Sequence, residues 1–204
     1  MTLKKISRKK MSEVIDKVIN RIYKGDFSNV LETLEKYKMD IHTVDAYGCT
    51  FLWAVGTHLL NKYPPKWTKN VVTCMQFLID HGADVNYRNN FGETVLFLVA
   101  GNDRSNPEAV EMLIQNGADV NCLNENGDSP LVKAIASFED KYPETITPLL
   151  KAGADPYLKL NKEKKGFDTL EELIDLQMRM GKGKNTQLKT TFLKAMKDLG
   201  RLET

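Results

Sequence analysis

Between Ser12 and Tyr23 the apolar residues Val14, Ile15, Val18, Ile19 and Ile22 follow the three- and four-residue spacing of one helix face. After a Lys-Gly-Asp turn the pattern resumes from Phe27 to Tyr37 with Val30, Leu31 and Leu34. The same periodicity runs through QFLIDHG and EMLIQNG, and there each helix face ends in a glycine, the residue suited to the left-handed position past a helix C-terminus. Gly82, Gly117 and Gly153 are therefore predicted helix stops. Beyond them an extended Ala-Asp-Val-Asn leads into a polar tip, Tyr87 to Phe91 or Cys122 to Asn126, and Gly92 or Gly127 turns the chain back as a short hairpin-like finger. Thr50, Thr94 and Ser129 follow the turns, where a hydroxyl caps the next helix, and Pro130 takes a first helical position, where its missing N–H costs nothing. Each unit reads as finger, inner helix, outer helix.

The unit recurs. HGADVN at 81–86 returns as NGADVN at 116–121 and as AGADPY at 152–157, with the shared aspartates 35 and 36 residues apart. FGETVL at 91–96, NGDSPL at 126–131 and GFDTL at 166–170 follow in step, and KMDIHTVDAYGCTFL at 38–52 keeps Asp40 and Gly48 at the offset of 8 that separates Asp84 from Gly92 and Asp119 from Gly127. On these residues the chain resembles the ankyrin repeat family, whose period is about 33. The resemblance implies an all-α fold, an ankyrin-repeat solenoid of stacked helix pairs with short hairpin-like fingers. A basic flexible tail would occupy 1–10 and a single domain 11–204: a helix-pair cap at 11–39, repeats at 40–83, 84–118 and 119–154, and a degenerate capping repeat at 155–204. In the last unit Leu170 to Met180 would pair with Thr186 to Leu199. No unit buries its apolar face alone, so neighbours must stack.

Departures from the family pattern mark places of interest. The first repeat carries an insertion, HLLNKYPPKWT at 58–68, in which Pro64 and Pro65 oppose helix and Thr68 is placed to cap the outer helix that follows. It reads either as a tolerated surface loop or as a second contact surface around Tyr63 and Trp67. Pro148 sits harmlessly in a first turn if Thr145 is the N-cap. The motif's usual Thr-Pro-Leu-His is eroded to Thr50-Phe51-Leu52-Trp53 and Thr94-Val95-Leu96-Phe97, with Trp53 and Phe97 at core-like spacing.

Composition is that of a water-soluble stack: 42% hydrophobic and 27% charged over 204 residues leaves a continuous core and a polar surface. No run reaches the roughly 18 apolar residues of a membrane span. The N-terminus is basic without the apolar segment of a secretory signal. Cys49, Cys74 and Cys122 are odd in number and unrelated in repeat position, which points to a reducing compartment, the cytoplasm, or the interior of a host cell into which the protein is delivered. Charge is segregated, net +5 over 1–83, −7 over 84–155 and +4 over 156–204. The acidic centre suits a partner that presents basic groups. The divided basic ends lack the interleaved aromatics of a nucleic-acid platform.

No catalytic, metal or cofactor set is visible. His42, His58 and His81 lie on three different elements without ligand spacing, Cys49 has no His and acid beside it, and GKGKNT at 181–186 lacks the first glycine and the strand of a phosphate loop. The resemblance instead implies binding of a folded protein by fingertips and inner-helix groove, with no nucleic acid, membrane or small-molecule substrate, and a monomer when free. Carried onto matching positions, the partner-binding set is Ala46, Tyr47, Cys49, Thr57 and His58 in the first repeat. Asn90, Phe91, Glu93 and Asn102 follow in the second, and Glu125, Asn126, Asp128 and Ser137 in the third. Tyr47 and Phe91, both just before a turn glycine, read as anchors or as rings folded onto the neighbouring finger. Two functions fit: an interaction module, adaptor or host-directed effector, or an inhibitor that occludes a cognate enzyme or toxin with Glu93, Glu125 and Asp128 mimicking an acidic substrate.

Overall fold

A computed structural model describes residues 5–22, 30–60, 65–101, 106–136, 144–157, 172–175, 179 and 186–200. Its helices are α1 (Arg8–Ile22), α2 (Val30–Lys36), α3 (Phe51–Gly56), α4 (Pro65–Asp80), α5 (Val95–Ala100), α6 (Pro107–Gln115), α7 (Pro130–Ala136), α8 (Ile146–Lys151) and α9 (Thr186–Asp198), with a 3-10 turn at Thr57–Leu60 after α3. The fold is all-α: among the described residues extended chain occurs only as isolated bridges, Lys5 to Val44 and Val44 to Thr50.

The inner helices α3, α5 and α7 stack in sequence, as do the outer helices α4, α6 and α8, and α1 closes the N-terminal end against α3 and α4. Short inner helices suffice because nearly every side chain is buried. In α5, Val95, Leu96, Phe97, Val99 and Ala100 are all buried. One hydrophobic core runs from Met11, Val14 and Ile15 of α1 through Leu52, Leu78, Leu96, Leu113 and Leu131 to Phe192 and Met196 of α9. Phe97 is core, but Trp53 is half-buried.

The helix stops are those the sequence predicts. At Gly82, Gly117 and Gly153 φ is +96°, +83° and +97°. Each glycine N–H bonds three residues back and the next N–H five residues back: Gly82 to Ile79 with Ala83 to Leu78, Gly117 to Ile114 with Ala118 to Leu113, and Gly153 to Leu150 with Ala154 to Leu149. α2 ends identically on Lys38, whose N–H reaches Glu35 while that of Met39 reaches Leu34. Lys38 holds a φ of +54°.

Several local readings need correction. α4 starts at Pro65, not after Thr68, because proline at the first helical position forfeits no hydrogen bond. Pro64 and Tyr63 lie outside the described residues. Thr50 and Ser129 do accept cap bonds, from Trp53 at 3.2 Å and Val132 at 3.3 Å, but Thr94 does not. Its hydroxyl lies 3.8 Å from the Cys122 thiol of the next finger. Thr145 precedes α8 without a side-chain cap bond, and its hydroxyl donates instead to the Ala100 carbonyl at the end of α5, 3.2 Å away. Residues 5–10 are not a tail: the Ile6 N–H bonds the Val44 carbonyl at 2.9 Å and α1 has begun by Arg8. Leu31 of the cap is exposed rather than buried. In the last unit, Leu170 and Met180 fall outside the described residues, while α9 forms where helix is predicted.

Candidate functional site

Fingers are built by one device used three times. Asp45, Asn89 and Asn124 occupy equivalent places, and each Oδ1 accepts two backbone N–H groups across the turn: Tyr47 and Cys49, Phe91 and Glu93, Asn126 and Asp128. A backbone bond closes each finger as well, Asp45 to Cys49, Asn89 to Glu93 and Asn124 to Asp128. Fingers are then tied to one another by the Asn90 N–H on the Tyr47 carbonyl at 2.8 Å and the Glu125 N–H on the Phe91 carbonyl at 3.1 Å. Asn90 adds a side-chain bond to the Ala46 carbonyl at 3.0 Å.

A second ladder runs beneath the helix stops. Asn86 donates to the Gly117 carbonyl and accepts from the Asp119 N–H, both at 2.8 Å. Asn121 does the same to Gly153 and Asp155, at 3.1 and 2.8 Å. At the next equivalent position stands Tyr157, 65% exposed.

This register sets out two surfaces. On the finger edge, Ala46, Tyr47, Asn90, Phe91, Glu125 and Asn126 are all exposed. Tyr47 and Phe91, 44% and 52% exposed, stack with ring centroids 6.3 Å apart and planes inclined by 21°. Each ring thus rests on its neighbouring finger and still faces solvent. The Arg8 guanidinium lies over the Tyr47 ring, 5.0 Å from its centroid.

The second surface is a half-open cleft of about 250 Å³ between α1 and the first repeat. Arg8, Met11, Ser12, Ile15 and Asp16 line one wall, and Asp45, Cys49, Trp53, Ala54, Thr57 and His58 the other. Cys49, Thr57 and His58 of the predicted set therefore belong here, and Arg8 joins the cleft to the finger edge. Burial pushes the His58 pKa down, opposed by Asp16. Burial, reinforced by Asp45, raises the Cys49 thiol to about 11. Cys74 is raised to about 12 by burial, and Cys122 is raised for the same reason. All three cysteines are free and held as thiols, so none offers a ready nucleophile.

Two predicted site residues do not join these surfaces. Asp128 is buried, 7% exposed, because the finger closes over it, and it does not line the cleft. Glu93 is engaged, 3.9 Å from Lys133 and 3.5 Å from the Asn124 amide, which leaves Glu125 alone of the acidic trio exposed and free of both ties. The substrate-mimicking trio does not assemble. Asn102 and Ser137 lie outside the described residues. Sequence reasoning missed Arg8, assigned to a tail, and Asp45 and Trp53 as cleft residues. For Asp45 a signal existed: it is an acid where the two sister fingers carry Asn.

Among the described residues no three His, Cys, Asp or Glu side chains converge as metal ligands, and no helix is long and apolar enough to cross a membrane. Residues 67–159 match the family model described as ankyrin repeats (3 copies). The match opens within α4, so the first finger, α3 and the cap lie outside it. No curated protein matches the chain.

Proposed function

Because the chain belongs to the ankyrin repeat proteins, and its repeats make it a protein–protein interaction module, we propose that it is non-catalytic and engages a folded protein along the edge formed by Tyr47 and Phe91. The observation that carries this is the stacked, solvent-facing aromatic pair. A stack that buries Phe51, Phe97, Leu96 and Leu131 to 1% exposure or less leaves two large rings at about half exposure on adjacent fingertips. Large, low-entropy aromatic surfaces of this kind supply most binding energy where they occur in interfaces. The backbone bonds between fingers hold the rings in place before the partner arrives, which reduces the entropy lost on binding.

The partner is to be captured by cross-linking in the native source and its binding kinetics measured. Tyr47→Ala or Phe91→Ala is expected to weaken the complex by about 2 kcal/mol, roughly thirtyfold, with the denaturation midpoint little changed. Full affinity in the double variant would move the site off the fingers.

A further inference from the structure

Asp45 is chemically out of step with its own repeat series. The amides Asn89 and Asn124 make the same two Oδ1 bonds, so the finger needs no charge at this place. The first finger nevertheless carries a carboxylate there, 4% exposed, and a buried carboxylate is costlier than an amide making the same bonds. The first finger is also the one that lines the cleft. Asp16, on the exposed face of α1, adds a second carboxylate to the lining, and the one cation among the lining residues, Arg8, lies over Tyr47. Burial lowers the His58 pKa, opposed by Asp16.

We propose that this cleft receives one basic side chain, arginine or lysine, of the protein partner. The inference rests on the reading of the chain as a protein-binding module with its edge at Tyr47 and Phe91. A volume of about 250 Å³ holds a single long side chain. Ile15 and the half-buried Trp53 provide an apolar wall for the methylene stem, while Asp45 and Asp16 supply the opposing charge. Arg8 spans both surfaces, so an anchor in the cleft and a contact on the aromatic edge are within reach of one partner.

The test uses the full chain, ¹⁵N-labelled, titrated with Nα-acetyl-arginine methylamide, with the uncharged norleucine analogue and the acidic glutamate analogue as controls. Saturable shifts at the Trp53 indole and the Cys49 and Thr57 amides are expected with the arginine probe, and much weaker ones with either control. Asp45→Asn installs the side chain the fold already uses at 89 and 124, and is expected to weaken the probe by about fivefold while the spectrum stays dispersed. Should that variant unfold, Asp16→Asn on the exposed helix face takes its place, with a smaller loss expected. Equal binding of the norleucine or glutamate probe, no saturable shift at these residues, or unchanged arginine affinity in folded Asp45→Asn or, failing it, Asp16→Asn would overturn the proposal. No partner is involved, so a failed cleft leaves the double-alanine test standing, and failure of the finger reading leaves the titration readable.

Discussion

Positive φ is needed at seven glycines among the described residues, but not for one reason. At Gly117 no described atom lies within 4 Å of where a Cβ would stand, so a side chain there meets only the backbone penalty. At Gly92 the added Cβ would also come within 3.0 Å of the Glu125 N–H of the next finger, the group that bonds Phe91. Gly117→Ala is thus expected to cost about 1 kcal/mol and Gly92→Ala clearly more. Equal losses on chemical denaturation would contradict the close approach of the fingers. Lys38 is the converse case, a side chain held in the conformation its sister positions give to glycine. Lys38→Gly relieves that strain and is expected to raise stability by about 1 kcal/mol, less what glycine adds to the entropy of the unfolded chain. A lower midpoint would show that Lys38 makes contacts worth more than the strain.

Between repeats, the elements are joined by side chains as much as by core packing. Asn121 holds the Gly153 carbonyl and the Asp155 N–H of the following unit, so Asn121→Ala is expected to loosen that junction by about 1 kcal/mol. Hydrogen exchange should show the effect concentrated in α8 rather than α3, and an even effect would argue against a local junction. Much at this scale is legible in sequence: the helix stops, the turn glycines, the order of finger and helices, and the aromatic pair all follow from spacing and residue type. What is not legible is relational. Thr94 and Thr145 look like caps, yet the neighbouring repeat offers Cys122 to one hydroxyl and the Ala100 carbonyl to the other. Asp128 looks like a charge on a fingertip, and its burial follows from the way the finger closes over it. Arg8 looks like tail because nothing in a basic run foretells a tyrosine ring 5.0 Å away.

Across the whole molecule, the thiols link the core to pH. The Cys74 pKa moves from 9.0 in an open chain to about 12 when buried on α4, and that of Cys49 moves from 9.0 to about 11 beside the cleft. Below pH 9.0 both states hold these protons and folding stability is indifferent to them. Above it the unfolded chain gives them up first, so stability falls as pH rises through 11 and 12. The comparison that isolates the thiol is between the parent and Cys74→Ala. The alanine variant starts lower, having lost a fully buried sulfur, but its denaturation midpoint is expected to decline less steeply above pH 9.0. Parallel declines would mean that Cys74 ionises freely in the native stack. The same shifts bear on reactivity. At pH 8 an open-chain thiol is about one-tenth thiolate and Cys49 about one-thousandth, so a disulfide reagent should modify native Cys49 on the order of a hundred times more slowly than the unfolded chain. Cys74 should react only through opening of the first repeat. Labelling of Cys74 that keeps pace with Cys49 under native conditions would show that the N-terminal end of the stack opens independently of its centre.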